Sequence, residues 1–195
     1  MKQIYIIILS VLFCCCTKQE TALFPKQHVI SERFELIRKL YSPCYYESIM
    51  IKHGLVDVRQ IEPSIEVDLM YARENNFLSK NVYECLKKAY LIPEIALKMQ
   101  KAQELLKAEY PEYSLIIYDA ARPLEVQQIM WNALDLPIRE KVKYLSNPQK
   151  GSVHNFGCAV DVSIINENKI PLDMGTEVDY FGILAQPISE LQCLK

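Results

Sequence analysis

Ser152-Val153-His154-Asn155-Phe156-Gly157-Cys158-Ala159-Val160-Asp161 carries, within ten residues, a hydroxyl, an imidazole and a carboxylate. Imidazole and carboxylate are the ligand types of a catalytic zinc ion, and small Gly157 and Ala159 leave backbone room around one. His154 and Asp161 need a turn or bulge between them to converge, which Gly157 can supply. A short β excursion is the expected geometry, with both side chains aimed at one ion beside Ser152. Such a site usually takes three protein ligands plus a water. No histidine follows His154. His28 and His53 stand far upstream, where no motif supports their recruitment. A second chemical group is Arg122, in Tyr118-Asp119-Ala120-Ala121-Arg122-Pro123. By itself it reads as a surface salt bridge. Asp119 reads either as a carboxylate orienting Arg122 or as a strand-end cap.

These residues need elements to hold them. Pro93 suits a first helical turn, and Ile95, Ala96, Met99, Ala102, Leu105 and Leu106 then recur at helical spacing. Pro111 ends that helix, and Ser114 to Tyr118 has the length and apolar character of a strand delivering Asp119 and Arg122. A second helix starts at Pro123 with Val126, Ile129, Met130, Ala133 and Leu134 inward, and stops before Pro137. Trp131 on it reads as core or rim packing. Asn147 to Gly151 reads as a turn-rich loop. Beyond it Cys158, Val160, Val162 and Ile164 alternate with Ala159, Asp161 and Ser163, so a strand is expected with Asp161 pointing away from its apolar face. Asn166 to Lys169 reads as a hairpin connection and Ile170 to Thr176 as a return segment. Upstream, Gly54 to Tyr71 is expected to be extended, broken near Pro63.

The chain has 195 residues, 50% of them hydrophobic and 24% charged, which suits one compact domain. A formal net charge of -2 with interspersed bases and acids leaves no footprint for a polyanion, so nucleic acid is not an expected partner. Lys2, the apolar run Ile4 to Phe13 and then Cys14-Cys15-Cys16 read as an export signal over residues 1–16, too short for a mature membrane span. The cysteines at its end resemble a bacterial lipoprotein processing site, acylated at Cys15 or Cys16. A plain cleaved signal peptide is the alternative. Residues 17–32, polar with Pro25, read as a tether, and 33–195 as the folded domain. Cys44, Cys85, Cys158 and Cys193 could pair outside the cytoplasm, and buried free thiols are the simpler expectation.

The full pattern Ser-x-His-x-x-Gly-x-Ala-x-Asp resembles that of the zinc D,D-peptidases, most closely the D-alanyl-D-alanine dipeptidases. Three segments extend the resemblance in family order. Tyr71-Ala72-Arg73-Glu74-Asn75-Asn76-Phe77 is similar to the family's Tyr-Ala-Thr-x-x-Asn-Phe, with Arg73 in place of threonine. Asp119 to Pro123 is similar to its Asp-x-x-Arg-Pro. Met174-Gly175-Thr176-Glu177-Val178-Asp179 is similar to the segment with its substrate-binding aspartate. The resemblance implies an α+β, hedgehog-like fold, a small mainly antiparallel sheet packed by helices. It implies one zinc ion with His154 and Asp161 among its ligands, and Arg122 as the group that stabilises the tetrahedral oxyanion. It also implies Asp179 as receptor for the substrate ammonium, and Ser152 and Tyr71 as contacts to the dipeptide.

In that family the catalytic glutamate and third zinc ligand lie in a later Glu-x-x-Trp-x-His, which this sequence does not contain. The expectation is therefore a domain lacking its C-terminal part, with weak metal binding and little hydrolysis. Two functions follow. One is a lipid-anchored zinc dipeptidase acting on D-alanyl-D-alanine or a related cell-wall dipeptide in the bacterial envelope. The other is an envelope lipoprotein that binds peptidoglycan peptides without cleaving them.

Overall fold

A computed structural model describes residues 44–182 of the chain. The signal and tether segments, with Cys15, Cys16 and His28, and also Glu190 and Cys193, lie outside the described residues. The elements run in the order α1 (Tyr45–Lys52), β1 (Val56–Asp57), α2 (Val58–Ile61), β2 (Glu66–Val67), a 3-10 turn (Met70–Ala72), β3 (Tyr90–Leu91) and α3 (Pro93–Glu109). They continue with β4 (Ser114–Asp119), α4 (Leu124–Ala133), α5 (Ile138–Lys141), a second 3-10 turn (Val153–Phe156) and β5 (Asp161–Ile165). The fold is α+β, as expected. Its sheets are small and mixed: β4 is central, parallel to β2 and antiparallel to β5, while β1 and β3 form a separate antiparallel pair.

Strand β4 is the spine of the molecule because its apolar run serves two sides. Ile117 packs into the main core with Val58, Ile65, Leu91, Ala96, Val126 and Met130, whereas Ile116 and Tyr118 join Ile165 in a smaller cluster. Helix α3 starts with Pro93 as expected, but it buries Ala96, Met99 and Gln103 and leaves Leu105 61% exposed. Consecutive helical residues lie about 100° apart, so an inner face centred on Gln103 turns Ala102 and Leu105 outward. Gln103 makes two hydrogen bonds there, accepting from Leu115 N at 2.8 Å and donating to Ser64 Oγ at 3.0 Å. Helix α4 likewise buries Val126, Gln127 and Met130, while Ile129 faces out. Trp131 lies at the rim, with Lys141 Nζ 5.1 Å above its ring.

Three further expectations are corrected. The Gly54–Tyr71 segment is not extended throughout. The Asp57 side chain accepts from Arg59 N at 3.1 Å and so starts the helical turn α2 between two short strands. In β5 the alternation holds but the buried face is that of Ser163 and Ile165, with Val162 exposed. Asp161 therefore sits on the inward side. Cys44 and Cys85 are joined in a disulfide and are not free thiols, and Cys158 is free but exposed. The hairpin after β5 forms as expected: Asn166 Oδ1 accepts from Asn168 N and Ile170 N, both at 3.0 Å, and Pro171 bridges back to Ile165.

Candidate functional site

The end of β4 and the start of β5 do not pair in simple register. Ile117 lies opposite Val162, and the next pair is Asp119 with Asp161, so one residue of β4 bulges out. A bulge re-aims the side chains that follow it. Here it sets Asp161 beside Asp119, on the same side of the sheet, and this is the convergence that the sequence assigned to Gly157.

Gly157 does something else. His154 lies on a 3-10 turn, not on a β excursion. Ser152 starts that turn, its Oγ accepting from His154 N at 3.3 Å and its own N donating to Asn155 Oδ1 at 2.7 Å. Gly157 ends it with φ +65°, in the left-handed region that glycine enters without cost. The turn is laced to the chain after β4: Arg122 N donates to His154 O at 2.9 Å, and Asn155 Nδ2 donates to Arg122 O at 2.9 Å. His154 and Arg122 are thus fixed to each other through backbone.

Nδ1 of His154 is 2.9 Å from Ala120 O. A carbonyl only accepts, so Nδ1 carries the proton and the Nε2 lone pair is left for a metal. Nε2 lies 3.5 Å from Asp161 Oδ1. Two ligands bound to one tetrahedral zinc at about 2.0–2.1 Å stand roughly 3.3 Å apart, so this pair fits such an ion with little movement. Burial, then the neighbouring Asp119, pushes the Asp161 carboxyl above its ordinary range, against the pull of His154 and Arg122. A bound cation would relieve that cost.

Asp119 also brings an oxygen within 4.8 Å of the ligand atoms of His154 and Asp161. Its donors are nevertheless already in place. Oδ1 accepts from the Tyr83 hydroxyl and from Ala120 N, and Oδ2 accepts from Arg122 Nε at 2.9 Å and Nη2 at 2.5 Å. Both oxygens are engaged and the residue is 1% exposed, so Asp119 holds Arg122 and would have to release a donor to bind a metal. The two readings of Asp119 left open by the sequence both hold, since it orients Arg122 and caps the strand end.

Arg122 is buried, so the surface salt bridge is excluded. Burial opposes its charge, but Asp119 and the tyrosines 83 and 71 outweigh that and raise its pKa. Nη1 donates to Gln127 Oε1 at 2.7 Å, Nη2 lies 3.8 Å from Asp161 Oδ2, and the guanidinium carbon stands 5.5 Å from the centre of the Tyr71 ring. Of five N–H groups, three are engaged by Asp119 and Gln127. Two remain.

Tyr71 donates its hydroxyl proton to Asp179 Oδ1 at 2.9 Å. The other Asp179 oxygen is buried without a partner, and burial raises that carboxyl's pKa although the Tyr71 hydrogen bond lowers it. A buried carboxylate oxygen without a partner can accept a hydrogen bond from a donor brought into the cleft. Tyr71, Arg122, Ser152, His154, Asp161 and Asp179 all line one cleft of about 820 Å³. The structure brings together every site residue read from the described part of the sequence. His53 stays apart, exposed at the end of α1. Gln127 and Tyr83 were missed, because a glutamine among helical core positions and a tyrosine in a loop carry no chemical motif.

Residues 51–189 match the family model described as D-ala-D-ala dipeptidase, peptidase M15. The chain belongs to this D-Ala-D-Ala dipeptidase family. It is similar to the D-alanyl-D-alanine dipeptidase of Escherichia coli (strain K12), 33% identical over 128 residues, which make up 64% of this chain and 61% of that protein. The match therefore spans about three fifths of that relative's length. The D-Ala-D-Ala dipeptidase family is one of metal-dependent peptidases, and the chemistry of the His154 and Asp161 pair accords with that.

Proposed function

We propose that this protein hydrolyses D-alanyl-D-alanine or a related cell-wall dipeptide with zinc held by His154 Nε2 and Asp161. The observation that carries the reading is one cleft holding a metal half-site, a buried guanidinium with spare donors and an unpaired carboxylate oxygen. A zinc ion bound there would acidify a water and polarise the scissile carbonyl. Asp179 receives the substrate ammonium, with Tyr71 holding its other oxygen. The free N–H groups of Arg122 meet the charge that develops on the carbonyl oxygen, and Ser152 borders the dipeptide. Removing a donor of this kind costs on the order of 100-fold or more in rate.

The 195 residues contain neither the Glu-x-x-Trp-x-His of the family resembled nor another histidine near the cleft among the described residues. A second reading, a protein that binds peptidoglycan peptides without cleaving them, uses Arg122, Ser152 and Asp179 of the same cleft. Placement in the bacterial envelope through a lipid on Cys15 or Cys16 is part of the proposal, and the Cys44–Cys85 disulfide supports an oxidising compartment.

The test is D-alanyl-D-alanine with added zinc, followed both as heat of binding and as release of free D-alanine. Binding that weakens in Arg122→Ala and in Asp179→Asn is expected. Free D-alanine, falling on the order of 100-fold in Arg122→Ala, supports hydrolysis; intact bound dipeptide supports the second reading. Binding indifferent to both substitutions contradicts the two together.

A further inference from the structure

Gln127 is fully buried on α4, and its amide reaches two partners. Oε1 accepts from Arg122 Nη1 at 2.7 Å, and Nε2 donates to Ser146 O at 2.8 Å. The amide orientation is set from both ends, because a guanidinium only donates and a carbonyl only accepts. Asp119 grips the opposite edge of the same guanidinium through Nε and Nη2. Arg122 is therefore clamped at both sides, and only the N–H groups directed to neither clamp remain for the cleft.

The chemistry of the two clamps differs. Asp119 is a carboxylate and compensates the buried charge. Gln127 is neutral, so it fixes the second edge without cancelling more of the positive charge that a substrate oxyanion would meet. Its other end is tied to Ser146, whose neighbours Tyr144 and Leu145 line the cleft. The guanidinium and the cleft wall are thereby held to each other through one side chain.

We infer that Gln127 is a positioning residue, which acts through Arg122 by locking the Nη1 edge of the guanidinium and coupling it to the Ser146 wall of the cleft. This rests on the dipeptidase reading only for its consequence in catalysis, since the locking itself is a property of the folded protein.

The test uses two readouts on the full chain. The first is nitrogen-proton NMR of the Arg122 Nη groups, assigned by their disappearance in Arg122→Lys. In the wild type, separate and slowly exchanging Nη1 and Nη2 signals are expected. Gln127→Met removes both hydrogen bonds, and Gln127→Asn keeps an amide too short by one carbon to span both partners. Each should average or lose the Nη1 signals. Gln127→Glu keeps the acceptor for Nη1 while losing the donor to Ser146, so it should retain them. A purely structural tether to Ser146 would be lost equally in all three. The second readout is binding and turnover of D-alanyl-D-alanine with zinc, expected to fall about tenfold or more in Gln127→Met and Gln127→Asn through misplacement of Arg122. Ordered Nη1 signals in folded Gln127→Met or Gln127→Asn, or equal loss in Gln127→Glu, overturn the inference. A wild-type protein with ordered signals that neither binds nor cleaves the dipeptide counts against the dipeptidase reading and leaves the positioning role standing.

Discussion

The proton on His154 Nδ1 is held by Ala120 O, and this decides which nitrogen can bind a metal. Asp161 completes the pair at a cost, because its carboxyl, on a side chain 44% exposed, is kept above the ordinary 3.8 mainly by burial. The sign of the consequence is definite. A carboxyl with a raised folded pKa stabilises the fold below its unfolded value, and that contribution is lost as pH rises through the folded value. Asp179 shifts in the same direction, again by burial first. The metal-free protein should therefore lose stability as pH climbs from about 3.8 through the titration of these two groups. Zinc should restore it only where Asp161 is ionised, so the rise in Tm on adding zinc is predicted to be larger at pH 7 than near pH 4.5. Melting curves with zinc and with chelator at both pH values check this, and an equal rise at both would count against Asp161 as a ligand. His154, Asp161 and Arg122 were legible through the resemblance of the segments around them to the zinc D,D-peptidases, since Arg122 by itself reads as a surface salt bridge. Gln127 and Tyr83 were not, since their roles come from facing Arg122 and Asp119 across the fold.

Two local irregularities assemble the site. The bulge at the end of β4 turns Asp161 toward Asp119, and the 3-10 turn presents His154 above them. Gly157 closes that turn against the rest of the molecule: its carbonyl accepts from Ile92 N at 3.1 Å, and a Cβ there would lie 2.8 Å from Leu55 Cδ2. Gly157→Ala combines a left-handed backbone with that overlap, so a loss of about 1–3 kcal/mol is predicted. Equilibrium denaturation measures it, and a neutral effect would show that the turn relaxes freely. Helices α3 and α4 were legible from their 3.6-residue spacing and flanking prolines. The inner-face error at Leu105 and Ile129 arose because buried glutamines occupy places that a hydrophobic pattern assigns to leucine or isoleucine. The bulge had no signature, since it depends on the pairing of distant strands.

At the scale of the molecule, a central strand ends at Asp119, which grips Arg122 of the cleft three residues on. The Cys44–Cys85 link ties the start of α1 to the loop that bears Tyr83, which in turn grips Asp119. The α+β class was legible from the order of helical and extended segments. The disulfide was not, because spacing does not reveal which cysteines meet. Nor did the near-neutral charge balance point to the cleft, whose electrostatics depend on a few buried groups. The central claim is that His154 and Asp161 hold one divalent metal beside Arg122, with Asp119 as support. Zinc titration calorimetry on the wild type, His154→Ala, Asp161→Asn and Asp119→Asn tests it most directly. The account predicts one zinc site in the wild type, abolished in His154→Ala and in Asp161→Asn, and retained with weakened affinity in Asp119→Asn. Undiminished zinc binding in His154→Ala and Asp161→Asn would contradict it.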